Sequence, residues 1–440
     1  MLHTILYHVV LTAIFLYVLI CIYIKVRFQF WSIQPVFHVY DFFYWIYPRG
    51  VVQRDLPLFN KYVDINNICV EKVEDVSEAT MKRVTNFIQS HYLGNTRRVS
   101  YAPSHNSIVD YFKGSNNSSY ISTFKRQLMY ISTSSSKTTG GNDVYNLDEL
   151  LGVFSARPLL ITLKGHVGIC ENENENRIGR DAIMNRKTFP LYYCDNLCVH
   201  PLHRKKGIAP KLIQTQYYQL RRLNKNINTF LFKREGEMTA IVPLVAYESL
   251  VYSTDAIVAS NNINTSSIVN VIEISEKNIF LFTQLLTDKK SIFDCIIVPE
   301  IGTLANLLKT RHILMYGLIV GNTLVSCYLF KYQYLIYNKD EHVIECIASI
   351  NACKDGGDNN NNISVFFLGF KKALCSVIKR ESELNRPIKK ILIENTSHNN
   401  IIVDHINKII PSPYSKTPCA FFLYNYISYS IQSSSCFILY

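Results

Sequence analysis

The chain has 440 residues, 48% hydrophobic and 18% charged, with a formal net charge of +12. This excludes a disordered chain and provides enough apolar residues for about two to three domains of core. The positive excess suits an anionic membrane face or a phosphorylated ligand better than nucleic acid. The basic runs are short (Arg204 to Lys206, and pairs such as Lys389 and Lys390), and none alternates with aromatics as a nucleic-acid platform would.

In chain order, the first element is "TILYHVVLTAIFLYVLICIYI", Thr4 to Ile24, uncharged and about as long as a bilayer-crossing helix. Residues 1–24 are expected to form a single-pass membrane anchor. Lys25 and Arg27 follow it, whereas only His3 and the terminal amine precede it, so the positive-inside rule places the body on the cytosolic side. A cleaved signal peptide fits less well, because no basic n-region or small-residue cleavage site flanks the run. A buried apolar core helix stays open as an alternative.

The twelve cysteines contain no C-x-x-C pair. The one local cluster, "CDNLCVHPLH", places Cys194, Cys198, His200 and His203 on a strand that would send them to opposite faces, and no second ligand pair follows. No metal site is expected, and the thiols suit a reducing compartment.

Beyond the anchor the sequence predicts an α+β body of two similar halves, 25–255 and 256–440. In each, β-rich runs lead into a helix: "PLLITLKGHVGIC" and "LYYCDNLCV" before a helix from about Pro210 to Arg222, then "ILMYGLIVGNTLVSCYLF" and "HVIECIASINA" before "SVFFLGFKKALCSVIKR". Gly321 and Asn322 mark a hairpin. The polar runs "STSSSK" (Ser132 to Lys137) and "DGGDNNNN" (Asp355 to Asn362) are expected to be loops.

Within the first half, "LCVHPLHRKKGIAPKLIQ" passes from a strand through a basic turn into a helix. Ala209, Leu212, Ile213, Tyr217, Leu220 and Leu223 recur at helical spacing, and Pro210 fits the first helical turn. Free N–H groups at the helix start, Gly207, and Arg204, Lys205 and Lys206 beside them make a diphosphate site. On spacing alone, a solvated basic turn before an ordinary helix is an equal reading.

The turn "RKKGIA", after "LCVHP" and before an amphipathic helix, resembles the acyl-CoA pyrophosphate loop of the GNAT acyltransferase superfamily. More narrowly, "LCVH" with "RKKGIAPKLI" resembles the N-myristoyltransferase family, as do "FQFWSIQPV" (Phe28 to Val36) and "FFLYNY" (Phe421 to Tyr426). The resemblance implies two GNAT-like α/β halves forming one body, preceded by the transmembrane helix. It implies transfer of myristoyl from myristoyl-CoA, a co-substrate and not a permanently bound cofactor, to the amine of an N-terminal glycine on protein substrates. Acyl-CoA would lie against Phe28, Phe30, Trp31 and the turn Arg204, Lys205, Lys206, Gly207, Ile208 and Ala209. The backbone of Asn196 and Leu197 would form the oxyanion hole, and the Tyr440 α-carboxylate would act as base. Tyr92 and Asn351 would meet the peptide.

For Phe28, Phe30 and Trp31 a juxtamembrane aromatic belt is the rival reading, and for "CFILY" a plain edge strand. Glu235 and Glu237 are alternative bases. The sequence also departs from the family. Asn196 replaces an aromatic in "DNLCVH", the acidic peptide loop is replaced by "HYLGNTRRVSY", and "FLFKREGEMTAIVP" sits where a Thr-Ala-Gly segment belongs. A catalytically inactive acyl-CoA-binding or structural relative, or a different acyl-CoA N-acyltransferase, are therefore alternatives.

Overall fold

The computed structural model describes residues 2–41, 50–93, 99–132, 143–165, 186–237, 240–260, 270–338, 340–352 and 359–440. The strands in chain order are β1 (Gly50–Val51), β2 (Ile68–Lys72), β3 (Val99–Tyr101), β4 (Tyr120–Ser132), β5 (Asp143–Lys164), β6 (Arg186–Val199), β7 (Phe230–Glu235), β8 (Val245–Ser253), β9 (Asn270–Ile274), β10 (Cys295–Val298), β11 (Ile313–Val320), β12 (Thr323–Tyr337), β13 (Glu341–Asn351), β14 (Ile388–Glu394), β15 (Ser415–Tyr424), β16 (Tyr426–Ile427) and β17 (Cys436–Ile438). Fifteen of them form one sheet: twelve along the path β17-β10-β5-β6-β7-β15-β8-β14-β13-β12-β11-β9, with β4 branching from β5, β2 pairing with β4 and β3 pairing with β12, while β1 and β16 pair separately.

Two arms of this sheet follow the same plan. Strands β4, β5 and β6 form an antiparallel meander, the helix Ile208–Leu223 crosses over, and β7 returns parallel to β6. Strands β11, β12 and β13 repeat the meander, the helix Asn359–Glu383 crosses over, and β14 returns parallel to β13. The Gly321–Asn322 hairpin joins β11 to β12, with Gly321 at φ 62°. The expected boundary at 255/256 does not cut this sheet, because β15 pairs with β7 on one side and β8 on the other, while β8 pairs with β14. Each arm alone would leave an open edge; β8 covers β14 of the second arm, and β15, from late in the sequence, fills the gap between β8 and β7 of the first.

The helix Ile208–Leu223 starts at Gly207, whose φ of 81° favours glycine. It sits close to β5 because a Cβ at Gly152 would fall 2.9 Å from Leu212 Cδ1. Leu212, Tyr217 and Leu220 are buried as the periodicity predicts, but Leu223 is exposed, since the chain leaves the sheet there. The helix also buries Thr215 and Arg221 under residues 53–64: Arg221 donates to the carbonyls of Gln53, Arg54 and Asp55, and the Thr215 hydroxyl accepts from the Asp64 N–H.

Of the polar runs, 133–137 and 355–358 lie outside the described residues, whereas Asn359 to Asn362, read as loop, open the long helix Asn359–Glu383. At the N-terminus, the helix Leu2–Arg27 contains one span, His3–Arg27, long and apolar enough to cross a membrane. Its side chains are mostly exposed, and Tyr17 Oη donates to the Tyr40 carbonyl at 2.6 Å, so its second half touches the body.

Candidate active site

The parallel pairing of β6 and β7 lasts only from Tyr192 to Cys194, opposite Phe230 to Phe232, and then ends. On its other side β6 shifts register against β5 between Val153 and Ser155, and Asn196 takes φ 54° in this bulge. Ser155 supports it: Asn196 Nδ2 donates to Ser155 Oγ at 3.0 Å, and Ser155 Oγ donates to the Asp195 carbonyl at 2.9 Å. Two cavities meet where the strands part.

The first cavity, about 370 Å³, is mainly aromatic, with Trp31, Phe154, Tyr217, Phe230 and Phe232 in its wall. Trp31 stacks on Phe232 at 5.4 Å, and Phe232 stacks on Phe422 at 5.2 Å. The second cavity, about 450 Å³, is polar and reaches Arg157, Lys331, Glu345, Glu394 and Tyr440. Both are bordered by Tyr92 and by Asp195, Asn196 and Leu197.

Of the three N-terminal aromatics, Trp31 alone lines either of these two cavities. Phe30 packs edge-on against Trp31 and Tyr62, and Phe28 continues the exit of the N-terminal helix through its N–H to the Ile24 carbonyl. Two quoted motifs dock on each other: Tyr424 Oη donates to Gln34 Oε1, and the Asn425 N–H donates to the Pro35 carbonyl at 2.7 Å. Gln34 Nε2 in turn donates to the Phe30 carbonyl at 3.1 Å, one residue before Trp31.

In the basic turn, Arg204 is a tie. Its Nε donates to the Val199 carbonyl at 3.1 Å and its Nη2 to the His91 carbonyl at 2.6 Å, fastening the turn to the end of β6 and to the helix Glu78–His91. Lys205 (φ 63°) and Lys206 are exposed, Ile208 is buried, and Ala209 is half-buried at the helix start.

Tyr92 ends the helix Glu78–His91, and burial pushes its phenol well above the usual range. Asn351 is not brought to the site. It ends β13 six residues beyond Glu345, about 20 Å along the strand, and its N–H donates to His398 Nδ1 at 2.9 Å. The loop with Arg97 and Arg98 and residue Thr239 lie outside the described residues.

Asp195 changes the expected oxyanion hole, because its Oδ1 accepts from the Asn196 N–H at 2.7 Å. A charged network fills the polar cavity wall. Lys233 Nζ lies 3.0 Å from Glu394 Oε1, 3.1 Å from Glu235 Oε1 and 3.0 Å from Tyr440 Oη, which donates to Glu345 Oε1 at 3.2 Å. Burial, reinforced by Glu394, pushes the Glu345 carboxyl up to about 8. Burial works the same way on Glu394, but Lys233 overrides it and holds that carboxyl below its ordinary value. For Lys233 burial favours the neutral amine, yet Glu394 and its neighbours hold the ammonium form well above the usual range. The sequence signal for this network was a charge at inward strand positions, as in "SARPLL", "YLFKYQ" and "VIECIA".

The molecule is a mixed α+β sheet whose paired strands part over an aromatic slot and a polar slot. The chain has the fold of N-myristoyltransferase: three Saccharomyces cerevisiae N-myristoyltransferase structures with bound myristoyl-CoA, one also holding inhibitors, superpose with TM-scores of 0.62 to 0.64 over 92% of this chain. They cover 89 to 94% of their own chains at 13 to 14% identity. No protein-family model matches the chain, and no curated protein matches its sequence.

Proposed function

We propose that the chain transfers a myristoyl group from myristoyl-CoA to the amine of an N-terminal glycine, from a body held at the cytosolic face of a membrane by its first helix. The observation that carries this reading is the meeting of an aromatic and a polar cavity at the Asn196–Leu197 bulge. The fold neighbours were crystallised with myristoyl-CoA. Here the acyl chain would lie against Trp31 and Phe232, and the CoA diphosphate would rest on the N–H groups of Ile208 and Ala209 with Lys205 and Lys206 beside them. Phe28 and Phe30 would back Trp31, while Arg204 and Gly207 shape the turn.

In the reaction the glycine amine, having lost its proton to the Tyr440 α-carboxylate, attacks the thioester carbonyl. The resulting oxyanion is met by the backbone N–H groups of Asn196 and Leu197, the C–S bond breaks, and the departing CoA thiolate takes the extra proton carried by the attacking nitrogen, leaving an amide and the CoA thiol. Asp195 must release the Asn196 N–H for that donor to serve. Tyr92 would border the incoming peptide.

The Asp195 contact also favours a second reading, a non-catalytic acyl-CoA binder, since a carboxylate on that N–H opposes an oxyanion. Incubating the purified chain with labelled myristoyl-CoA and a Gly-x-x-x-Ser peptide separates the two. Labelled peptide with equimolar CoA release supports transfer, whereas tight acyl-CoA binding without product supports the binder.

A further inference from the structure

The wall of the polar cavity carries the cations Arg157, Lys233 and Lys331 and the carboxylates Asp195, Glu235, Glu345 and Glu394. The carboxylates are engaged. Glu394 and Glu235 share Lys233, Asp195 holds the Asn196 N–H, and Glu345 accepts from Tyr440 Oη and Gln333 Nε2. Two of the cations are not matched in this way.

Arg157 is 4% exposed, and its guanidinium lies between the Tyr111 and Tyr193 rings, 4.7 and 5.0 Å from their centroids. Its Nη1 has no hydrogen-bond partner, and among the described residues no carboxylate lies within ion-pair distance of it. Lys331 Nζ also lies over rings of this wall, 5.1 Å from the Tyr111 centroid and 4.6 Å from that of Tyr440. Its cross-strand partner is Glu345, whose oxygens are already taken. A guanidinium cannot shed its charge on burial, so a buried one needs an oxyanion. Ring faces stabilise it only in part.

We propose that Arg157 and Lys331 form an anion subsite for the acceptor, one that selects polypeptides carrying an aspartate or glutamate shortly after the acylated amine. This rests on the transfer reading above and adds the substrate class to it. Arg157 stands two residues along β5 from Ser155, about 7 Å away, and Ser155 touches the bulge at Asn196. At about 3.3 Å per extended residue, the anion falls within the first few residues of the acceptor. Burial lowers the Lys331 ammonium from its ordinary value, and a carboxylate bound beside it would draw the charged form back.

The test uses the full chain with myristoyl-CoA and N-terminal glycine peptides that differ only in Asp, Asn or Lys at one of positions 2 to 5. At one position Asp should lower KM relative to Asn by about 10- to 100-fold, the range for a charge-assisted contact, with Lys the worst. Arg157→Leu should erase the Asp preference and Lys331→Met should reduce it, with acyl-CoA affinity measured on the same samples. Equal use of Asp and Asn at every position overturns the subsite, as does a preference that survives Arg157→Leu. If no peptide is acylated, the transfer reading fails, and titrating the Asp and Asn peptides into acyl-CoA-loaded chain decides the subsite separately. Tighter Asp binding supports it, and equal or absent binding overturns it. The wild-type panel is sufficient if the Arg157 variant does not fold.

Discussion

Replacing Tyr424 with phenylalanine removes one oxygen atom from the contact between two motifs that lie 390 residues apart. Gln34 is 6% and Tyr424 3% exposed, so water cannot replace the lost donor at Gln34 Oε1. An unsatisfied buried acceptor costs about 1–3 kcal/mol. Gln34 also holds the Phe30 carbonyl, next to Trp31 in the aromatic cavity, so the loss should spread to that wall. If all of it appears there, acyl-CoA affinity falls by about 5- to 150-fold, at 1.4 kcal/mol per tenfold. The assay is a double-mutant cycle of Tyr424→Phe and Gln34→Leu, read by urea unfolding and by calorimetric titration of acyl-CoA. The expected coupling is about 1–2 kcal/mol. Additivity within about 0.5 kcal/mol in both readouts would refute the link from the late motif through Gln34 to the acyl site.

Extending the chain beyond Tyr440 by two residues should lower turnover on the order of 10² to 10⁴-fold with acyl-CoA affinity retained, whereas Tyr440→Phe should mainly lower stability by removing the hydroxyl from Lys233 and Glu345. Full turnover in the folded, extended protein would move the role of base to another carboxylate, with Asp195 the nearest candidate at the bulge. Lys205→Ala with Lys206→Ala should weaken CoA binding most at low salt, because exposed charges are screened, and an unchanged affinity at low ionic strength would exclude them from the phosphate site. Because burial raises the Glu345 carboxyl from 4.5 to about 8, the folded state holds a proton that the unfolded state has lost across that window, so stability should decline as pH rises through it. Glu345→Gln should flatten that decline in urea titrations at several pH values. Glycan on any of Asn116, Asn117, Asn264, Asn362 or Asn395, which begin N-x-[ST] triplets, in a eukaryotic host, seen as an enzyme-sensitive mass shift, would reverse the proposed cytosolic orientation.

The three quoted motifs were readable because each is a short local unit, and the repeated strand-strand-helix plan was readable from periodicity. Their docking was not, since nothing local pairs Gln34 with Tyr424. The charged cavity was hidden for the same reason. Arg157, Lys233, Lys331, Glu345 and Glu394 sit on five strands, and each reads alone as an ordinary polar position. Asn351 misled because it shares β13 with Glu345, and a sequence position does not say which stretch of a strand faces the site. Arg204 misled differently: a basic residue in a basic turn reads as a ligand, whereas its guanidinium is spent on two carbonyls.

The placement of β15 and β17 bears on how the molecule is made. Synthesis delivers the helix Leu2–Arg27 before the sheet, and β15, the strand that joins β7 to β8, well after both of its neighbours. Until residues 415–424 emerge, β7 and β8 each present an unpaired edge, and the polar cavity lacks the wall that Tyr440 supplies. A nascent chain at that stage would therefore wait with two sticky edges exposed, a state that invites chaperone capture. A message truncated before residue 415 would yield a protein that keeps the apolar helix Leu2–Arg27 and lacks a complete site.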